Sequence, residues 1–488
     1  MEGKVRVHPF LQLRFPDNRV AERRWISEVV LSRLSDVYQC MPKKREDWEL
    51  SVDNAGGARA VIRMPDTFFG GAAARWLKPD SMPHRPLKQW RPADDGIEPI
   101  LVEEDVPVLY GRGSFSKTSS TTAKLGVDVF GSAFFMLSRY EELVTFDRDQ
   151  HDRFPARASV ALQEGFLERP LIDEYVEILW AAVQAILPGA TRKQSTFRID
   201  LSHDVDRPSR YLFGPLGGAM RSAVGDVLLR RDVLSPLRAL WLRRSSPDAL
   251  HPADPYNTFD WLMDVSEQHN LRSTFYFMAG CSNPQFDARY EIGHPAIRKL
   301  LRRIHERGHH IGLHPSYECY RDAEQIRREA EALWRACEEE GIHQDAWGAR
   351  MHYLRWSCPQ TPRALDAAGL SHDSTLGYAD HIGFRCGTSF SYPFFDVEGG
   401  RALGIRIRPL TVMDGTIYGT AYMNKGLGAQ ARDSVARTVS ATRAMNGEFS
   451  LLWHNSELNE LKKRKFYEAT VETAAPPKSE LLAMHDHT

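Results

Sequence analysis

From Thr196 onward the apolar positions fall into two alternating kinds of segment. Short runs at 196–201, 274–278, 309–314 and 448–453 have the length and composition of buried strands. The longer segments between them are amphipathic at the helical period. In 295–307, Ile297, Leu300, Leu301 and Ile304 share one side, and Gly308 stops the run. A second helix is predicted to start at Asp322, with Gln325 three residues on as in a capping box, and to end at Gly341. Helix-like runs at 359–368 and 429–445 lead into strands at Leu370 and 448–453. Strands that alternate with helices predict a parallel β/α architecture.

The first 190 residues read as a smaller mixed α/β module. The run 128–143, with Val129, Phe130, Phe134, Phe135, Met136 and Leu137, predicts a largely buried helix, and 170–187 predicts another. Residues 187–194, Leu-Pro-Gly-Ala-Thr-Arg-Lys-Gln, have linker chemistry. A chain of 488 residues exceeds what one core normally organises. We therefore expect an N-terminal domain at 1–190, a β/α domain at 196–460 and a tail at 461–488.

Composition narrows the function classes. A net charge of −1 gives no general case for nucleic-acid binding. Met1 to Pro9 has no apolar signal core, and no segment reaches membrane-spanning length, since 175–187 is interrupted by Glu177. Cys40, Cys281, Cys319, Cys337, Cys358 and Cys386 are scattered without metal-knuckle spacing, which fits reduced thiols in a cytoplasmic protein.

The first strand of the β/α region closes on Leu201-Ser202-His203-Asp204-Val205-Asp206. Carboxylates at i and i+2 leave a strand from the same face, roughly 7 Å apart. Such a pair can divide hydrolytic work, one holding a metal ion and the other taking a proton from water; a turn or helix cap uses the same residues. Four further polar clusters follow strand-like segments: Gly308-His309-His310-Ile311-Gly312-Leu313-His314-Pro315-Ser316-Tyr317, Arg350-Met351-His352-Tyr353-Leu354-Arg355, Asp373 to Asp380, and Leu451-Leu452-Trp453-His454-Asn455. This order resembles the NodB-type polysaccharide deacetylases over about residues 196–456, in a bacterial subgroup with His-Asp-Val-Asp and Gly-Leu-His-Pro-Ser-Tyr variants and an extra N-terminal domain. The resemblance implies a distorted (β/α) barrel with fewer than eight regular strands, with the clusters at strand C-terminal ends, where barrel enzymes carry their chemistry.

The resemblance also implies roles. Asp206 matches the metal-binding aspartate, Asp204 the catalytic base and His314 a metal-binding histidine. The family's second histidine falls at Glu318, whose carboxylate can bind zinc, so the expected ligand set is Asp206, His314 and Glu318. His310 has the same spacing, but four residues of strand span roughly 13 Å, too far for two ligands of one ion. Arg350 matches the arginine that pairs with the base, and Tyr353 the residue whose backbone N–H donates to the tetrahedral oxyanion. Met351-His352 replaces a proline-containing pair, and His352 is read either as facing substrate or as packed. His454 matches the histidine that protonates the departing amine, against a core histidine beside Trp453. Asp373 is expected to orient His454 or contact sugar hydroxyls, with Tyr378, Asp380 and Arg385 lining the substrate pocket.

Three stretches stand outside this scheme. An insertion at about 207–255 carries Arg207, Arg210, Arg221, Arg230, Arg231, Arg238, Arg243 and Arg244, read as a solvated face or as contacts to an anionic substrate group. Ser138 to Glu142 and His151 to Pro155 resemble stretches of the same companion domain, for which packing is the simpler account. Together these readings imply a metal-dependent N-deacetylase, with zinc or a similar divalent ion, acting on an N-acetylated sugar of a bacterial surface or exopolysaccharide pathway. A deformylase or other non-peptide amidase, and a degenerate barrel that binds saccharide without turnover, are the alternatives.

Overall fold

The computed structural model describes residues 9–54, 57–213 and 241–475. Its N-terminal part contains strands β1 (Phe10–Pro16), β2 (Tyr38–Lys43), β3 (Asp47–Asp53) and β4 (Arg59–Pro65), a small ribbon of β5 (Lys88–Trp90) and β6 (Val106–Val108), then β7 (Gly111–Lys117) and β8 (Thr122–Val127). Six of these form one sheet in the order β2-β1-β3-β4-β8-β7. Alternation buries Leu11, Leu13 and Phe15 of β1 and Ala60, Ile62 and Met64 of β4. Helices Val20–Leu31, Val129–Leu137 and Leu171–Ile186 pack with this sheet and with one another.

The single helix expected at 128–143 is two. Asp128 caps Val129–Leu137 by accepting from the Gly131 amide at 2.9 Å. Arg139 then turns into the left-handed region at φ 53°, and a short helix, Tyr140–Val144, follows. The buried Arg139 guanidinium donates to Glu142 at 2.8 Å and to the Arg385 carbonyl at 2.6 Å. Tertiary partners thus overrule the local helical pattern.

The second sheet is built from β9 (Arg198–Val205), β10 (Ser273–Phe277), β11 (His310–Leu313), β12 (Gly348–Ala349), β13 (His372–Asp373), β14 (Tyr392–Asp396), β15 (Arg401–Ile407), β16 (Val412–Met413) and β17 (Glu448–Leu452). Their order is β14-β15-β13-β12-β11-β10-β9-β17-β16. Every pairing is parallel except that of β14 on β15. Edge strands β14 and β16 do not pair with each other, so the hydrogen bonding gives an open sheet and not the closed ring of a barrel. The helix Pro295–Glu306 buries Ile297, Leu300, Leu301 and Ile304 completely, and Asp322 caps Ala323–Glu339 by accepting from the Gln325 amide at 3.0 Å.

The expected C-terminal tail is in part a packed element. Leu461–Ala474 forms a helix whose Tyr467 ring lies 5.2 Å from that of Trp453. The two sheets share a continuous apolar core. Polar ties cross between them: the Trp25 indole donates to the Pro393 carbonyl at 3.0 Å, and Asp173 accepts from Thr388 at 2.6 Å and the Ser389 amide at 2.8 Å. No helix among the described residues is long and apolar enough to cross a membrane.

Candidate metal centre and active site

Parallel strands carry their C-terminal ends to one rim, and the polar clusters meet there. Asp204 lies inside β9 and Asp206 just beyond it; His314 follows β11, Arg350 and His352 follow β12, Asp414 follows β16, and His454 lies two residues past β17. Residues remote in sequence converge because each leaves a neighbouring strand at the same height.

His314 Nε2 stands 3.3 Å from Asp206 Oδ1 and 3.7 Å from Asp204 Oδ2, and His352 Nε2 stands 3.8 Å from Asp206 Oδ1. Asp206, His314 and His352 offer one ligand atom each, all within 4.8 Å of one another. Bonds of about 2.0–2.2 Å in a tetrahedral site put ligand atoms about 3.3–3.5 Å apart, so modest closure fits this trio to one ion. Asp206 Oδ1 and His314 Nε2 are both buried without a hydrogen-bond partner, which is costly unless another group takes them up.

The outer nitrogens complete the argument. His314 Nδ1 lies 2.5 Å from the Arg350 carbonyl and His352 Nδ1 lies 3.1 Å from Asp287 Oδ1. Donation from both Nδ1–H groups leaves both Nε2 lone pairs facing the centre, the tautomer that binds metal. Glu318 does not join them. Its exposed side chain accepts from Arg355 at 2.8 Å and from Asn283 at 3.2 Å, because the chain turns outward after Ser316 into the short helix Cys319–Arg321. The third candidate ligand is His352, on the adjoining strand end.

Asp204 is buried and accepts from Arg350 Nη1 at 3.0 Å, while the same guanidinium donates to the Ser374 carbonyl at 3.0 Å and hydroxyl at 2.8 Å. His454 is oriented by Asp414, at 2.8 Å from Nδ1, with Nε2 3.7 Å from Asp206 Oδ2. Burial alone would lower the His454 pKa, but the Asp414 carboxylate, with Asp206 and Asp204 behind it, pushes it up to about 10. Burial alone would raise the Asp206 carboxyl, but His352, His314 and His454 hold it well below the usual carboxylate range.

Tyr353 and Leu354 both adopt left-handed backbone, at φ 60° and 55°. Such residues cost on the order of 1–3 kcal/mol each and persist only where their surroundings hold them. Leu354 packs with Leu410 and Leu452 at the strand ends, and the Tyr353 ring meets His352 and His151, both at 4.8 Å.

The residues expected to line the substrate pocket do other work. Asp373 is buried beneath the rim, accepting from the Trp356 indole at 3.0 Å and the Thr375 amide at 2.9 Å, so Asp414 and not Asp373 orients His454. Arg385 is buried in a paired contact with Glu142, at 2.7 and 3.0 Å, and its guanidinium lies over the buried Tyr378 ring. Asp380 accepts from the Ala156 amide at 3.2 Å. These three serve the junction between the two sheets. Sequence reasoning missed Asp414 and Asp287. Asp414 directly follows a strand, as His314 and Arg350 do, and that was its only signal; Asp287 lies in the connection after β10 and had none. Of the Arg-rich insertion, Arg221, Arg230, Arg231 and Arg238 lie outside the described residues.

Residues 12–188 match the model of a family of unknown function, DUF7033. No curated protein matches the chain. Among solved structures, the chain is similar to a Mycobacterium smegmatis protein assigned as a polysaccharide deacetylase, with 17% identity over 58% of this chain and 85% of that one, at a TM-score of 0.38. It is also similar to the PuuE allantoinase (13% identity, 59% and 85% covered, TM-score 0.35) and to a polysaccharide deacetylase from Bacillus cereus (11% identity, 57% and 87% covered, TM-score 0.25).

Proposed function

We propose that the protein is a metal-dependent N-deacetylase of an N-acetylated sugar, with Asp206, His314 and His352 as the ligands of a divalent ion. The observation that carries this reading is the meeting, at one rim, of that trio with two further pairs, Asp204–Arg350 and His454–Asp414. A bound divalent ion, zinc by its preference for nitrogen and carboxylate donors, acidifies water and polarises an acyl oxygen. Asp204 takes a proton from the attacking water at its Oδ2, while Arg350 fixes its other oxygen. The Tyr353 N–H donates to the oxyanion as the carbonyl becomes tetrahedral. His454 gives its Nε2 proton to the nitrogen of the departing amine, and Asp414 holds the ring for that transfer. An amide nitrogen leaves poorly as an anion, so this proton is essential. A cation on Asp206 would repel the His454 imidazolium and draw its pKa down from about 10 toward the range where a general acid is most effective.

The motif order supports a sugar of a bacterial surface or exopolysaccharide pathway, as polymer or precursor. Against the alternative of a degenerate saccharide-binding barrel, which rests on the histidine missing at Glu318, His352 supports this reading as a third candidate ligand. Acetate release from N-acetylated oligosaccharides and precursors by zinc-replete and chelated protein tests the proposal. Release that depends on metal is expected; formate or another acid in its place would make this an amidase of different acyl specificity, and no release with any metal would overturn it.

A further inference from the structure

We propose that the pocket beside Asp206 and His352 binds an anionic group, so that the sugar acted on carries a phosphate or a carboxylate. This rests on the deacetylase reading and specifies its substrate class. The pocket has a volume of about 350 Å³, and Arg207, Arg210 and Arg289 stand on its walls with Phe286 and Tyr353. Its two acids are committed elsewhere: Asp206 faces three imidazoles, and Asp287 accepts from His352, from the Ser282 and Asn283 amides, and from the Tyr317 amide. Arg207 and Arg289 are exposed and have no acidic partner among the described residues. On the same sheet's helices, by contrast, exposed Arg302 pairs with Glu340, and half-buried Arg307 pairs with Asp264 and Glu267. A guanidinium left without an acid, one residue beyond a metal ligand, is placed to take phosphate or carboxylate oxygens through its planar fork.

Calorimetry on the full-length, zinc-loaded protein compares N-acetylglucosamine with its 1-phosphate and with N-acetylglucosaminuronate. One charged compound should bind at least about tenfold more tightly than the neutral sugar, the scale of two exposed ion pairs, and the winner tells phosphate from carboxylate. The preference should weaken with salt and vanish in Arg207→Gln/Arg289→Gln while zinc content stays at the parent's level. Equal binding of all three, no binding of any, or a preference that survives the double substitution overturns the inference. A preference kept without acetate release would instead count against the deacetylase reading alone.

An independent observation concerns the segment 149–155, and here the geometry assigns Arg153 as a positioning residue for the turn at Tyr353. Buried Arg153 donates to the Tyr353 carbonyl at 2.9 Å, to Asp149 at 2.8 Å and to the Tyr422 hydroxyl at 3.2 Å. The same segment is pinned to the rim by its neighbours. Arg355 donates to the His151 carbonyl at 2.9 Å, the Tyr320 hydroxyl to Asp152 at 2.5 Å, and His151 Nδ1 meets the Tyr317 hydroxyl at 2.8 Å. A region that matches a family of unknown function thereby holds the left-handed turn that carries the proposed oxyanion donor.

Hydrogen exchange on the full chain tests this without reference to turnover. Arg153→Ala should speed amide exchange across residues 351–355 by at least about tenfold, with zinc content kept, and Arg153→Lys, which retains a donor, should restore part of the protection. Should Arg153→Ala fail to fold, Arg153→Lys and Tyr422→Phe provide the same readout in graded form. Unchanged exchange over the turn in the folded variants overturns the assignment. Where acetate is released, kcat should fall more than KM rises.

Discussion

Asp206, His314 and His352 each offer an atom to a common centre, and the protein is expected to bind about one divalent ion per chain. Asp206→Ala or His352→Ala should abolish that occupancy, whereas Glu318→Gln should leave it at the parent's level, as metal analysis after dialysis will show. Asp287→Ala removes the acceptor that orients His352 and should weaken zinc affinity about 10–100-fold. For turnover, Asp204→Asn should keep the metal and cut acetate release by about two orders of magnitude or more. The Asp414 carboxylate raises the His454 pKa, so its removal lowers that pKa and the imidazole loses its proton sooner as pH rises. In a pH–rate series Asp414→Asn should therefore move the basic limb to lower pH; a limb that stays put would detach Asp414 from the acid. The sequence exposed Asp204, Asp206, His314, Arg350 and His454, because each ends a strand-like run. It could not expose the choice between Glu318 and His352, since spacing along one segment says nothing of where the next strand end stands.

Elements place these residues, and short strands do so with little tolerance. β12 is only Gly348–Ala349, yet it delivers Arg350 and His352. A Cβ on Gly348 would meet the buried His372 ring at 2.0 Å, so the strand cannot accept a side chain there without moving. Gly348→Ala should cost about 1–3 kcal/mol in urea unfolding, and the displaced strand should also lower zinc affinity. Helices with a strong apolar side were legible to within a residue or two, as Pro295–Glu306 and Ala323–Glu339 show. The break at Arg139 was not, because a buried partner and not a local breaker residue causes it.

At the scale of the whole molecule, Glu142 and Arg385 tie the N-terminal part to the nine-stranded sheet through an ion pair buried on both sides. Breaking such a pair by removing one partner strands a buried charge, so Glu142→Ala should destabilise the full chain by about 3–5 kcal/mol, measured by chemical denaturation. Double replacement with apolar residues should recover part of that loss. Arg385 read from sequence as a pocket residue, since buried and exposed arginines look alike until their neighbours are known. The chain by itself determined the alternation of strands and helices and the placing of carboxylates and histidines at strand ends, because periodicity and local capping are written in neighbouring residues. Only the tertiary structure decided that His352 and not Glu318 faces Asp206, that Asp414 holds His454, and that Arg153 of the N-terminal part clamps the Tyr353 turn. Each of these depends on which strand ends lie side by side, a matter of sheet order and packing between segments up to 200 residues apart.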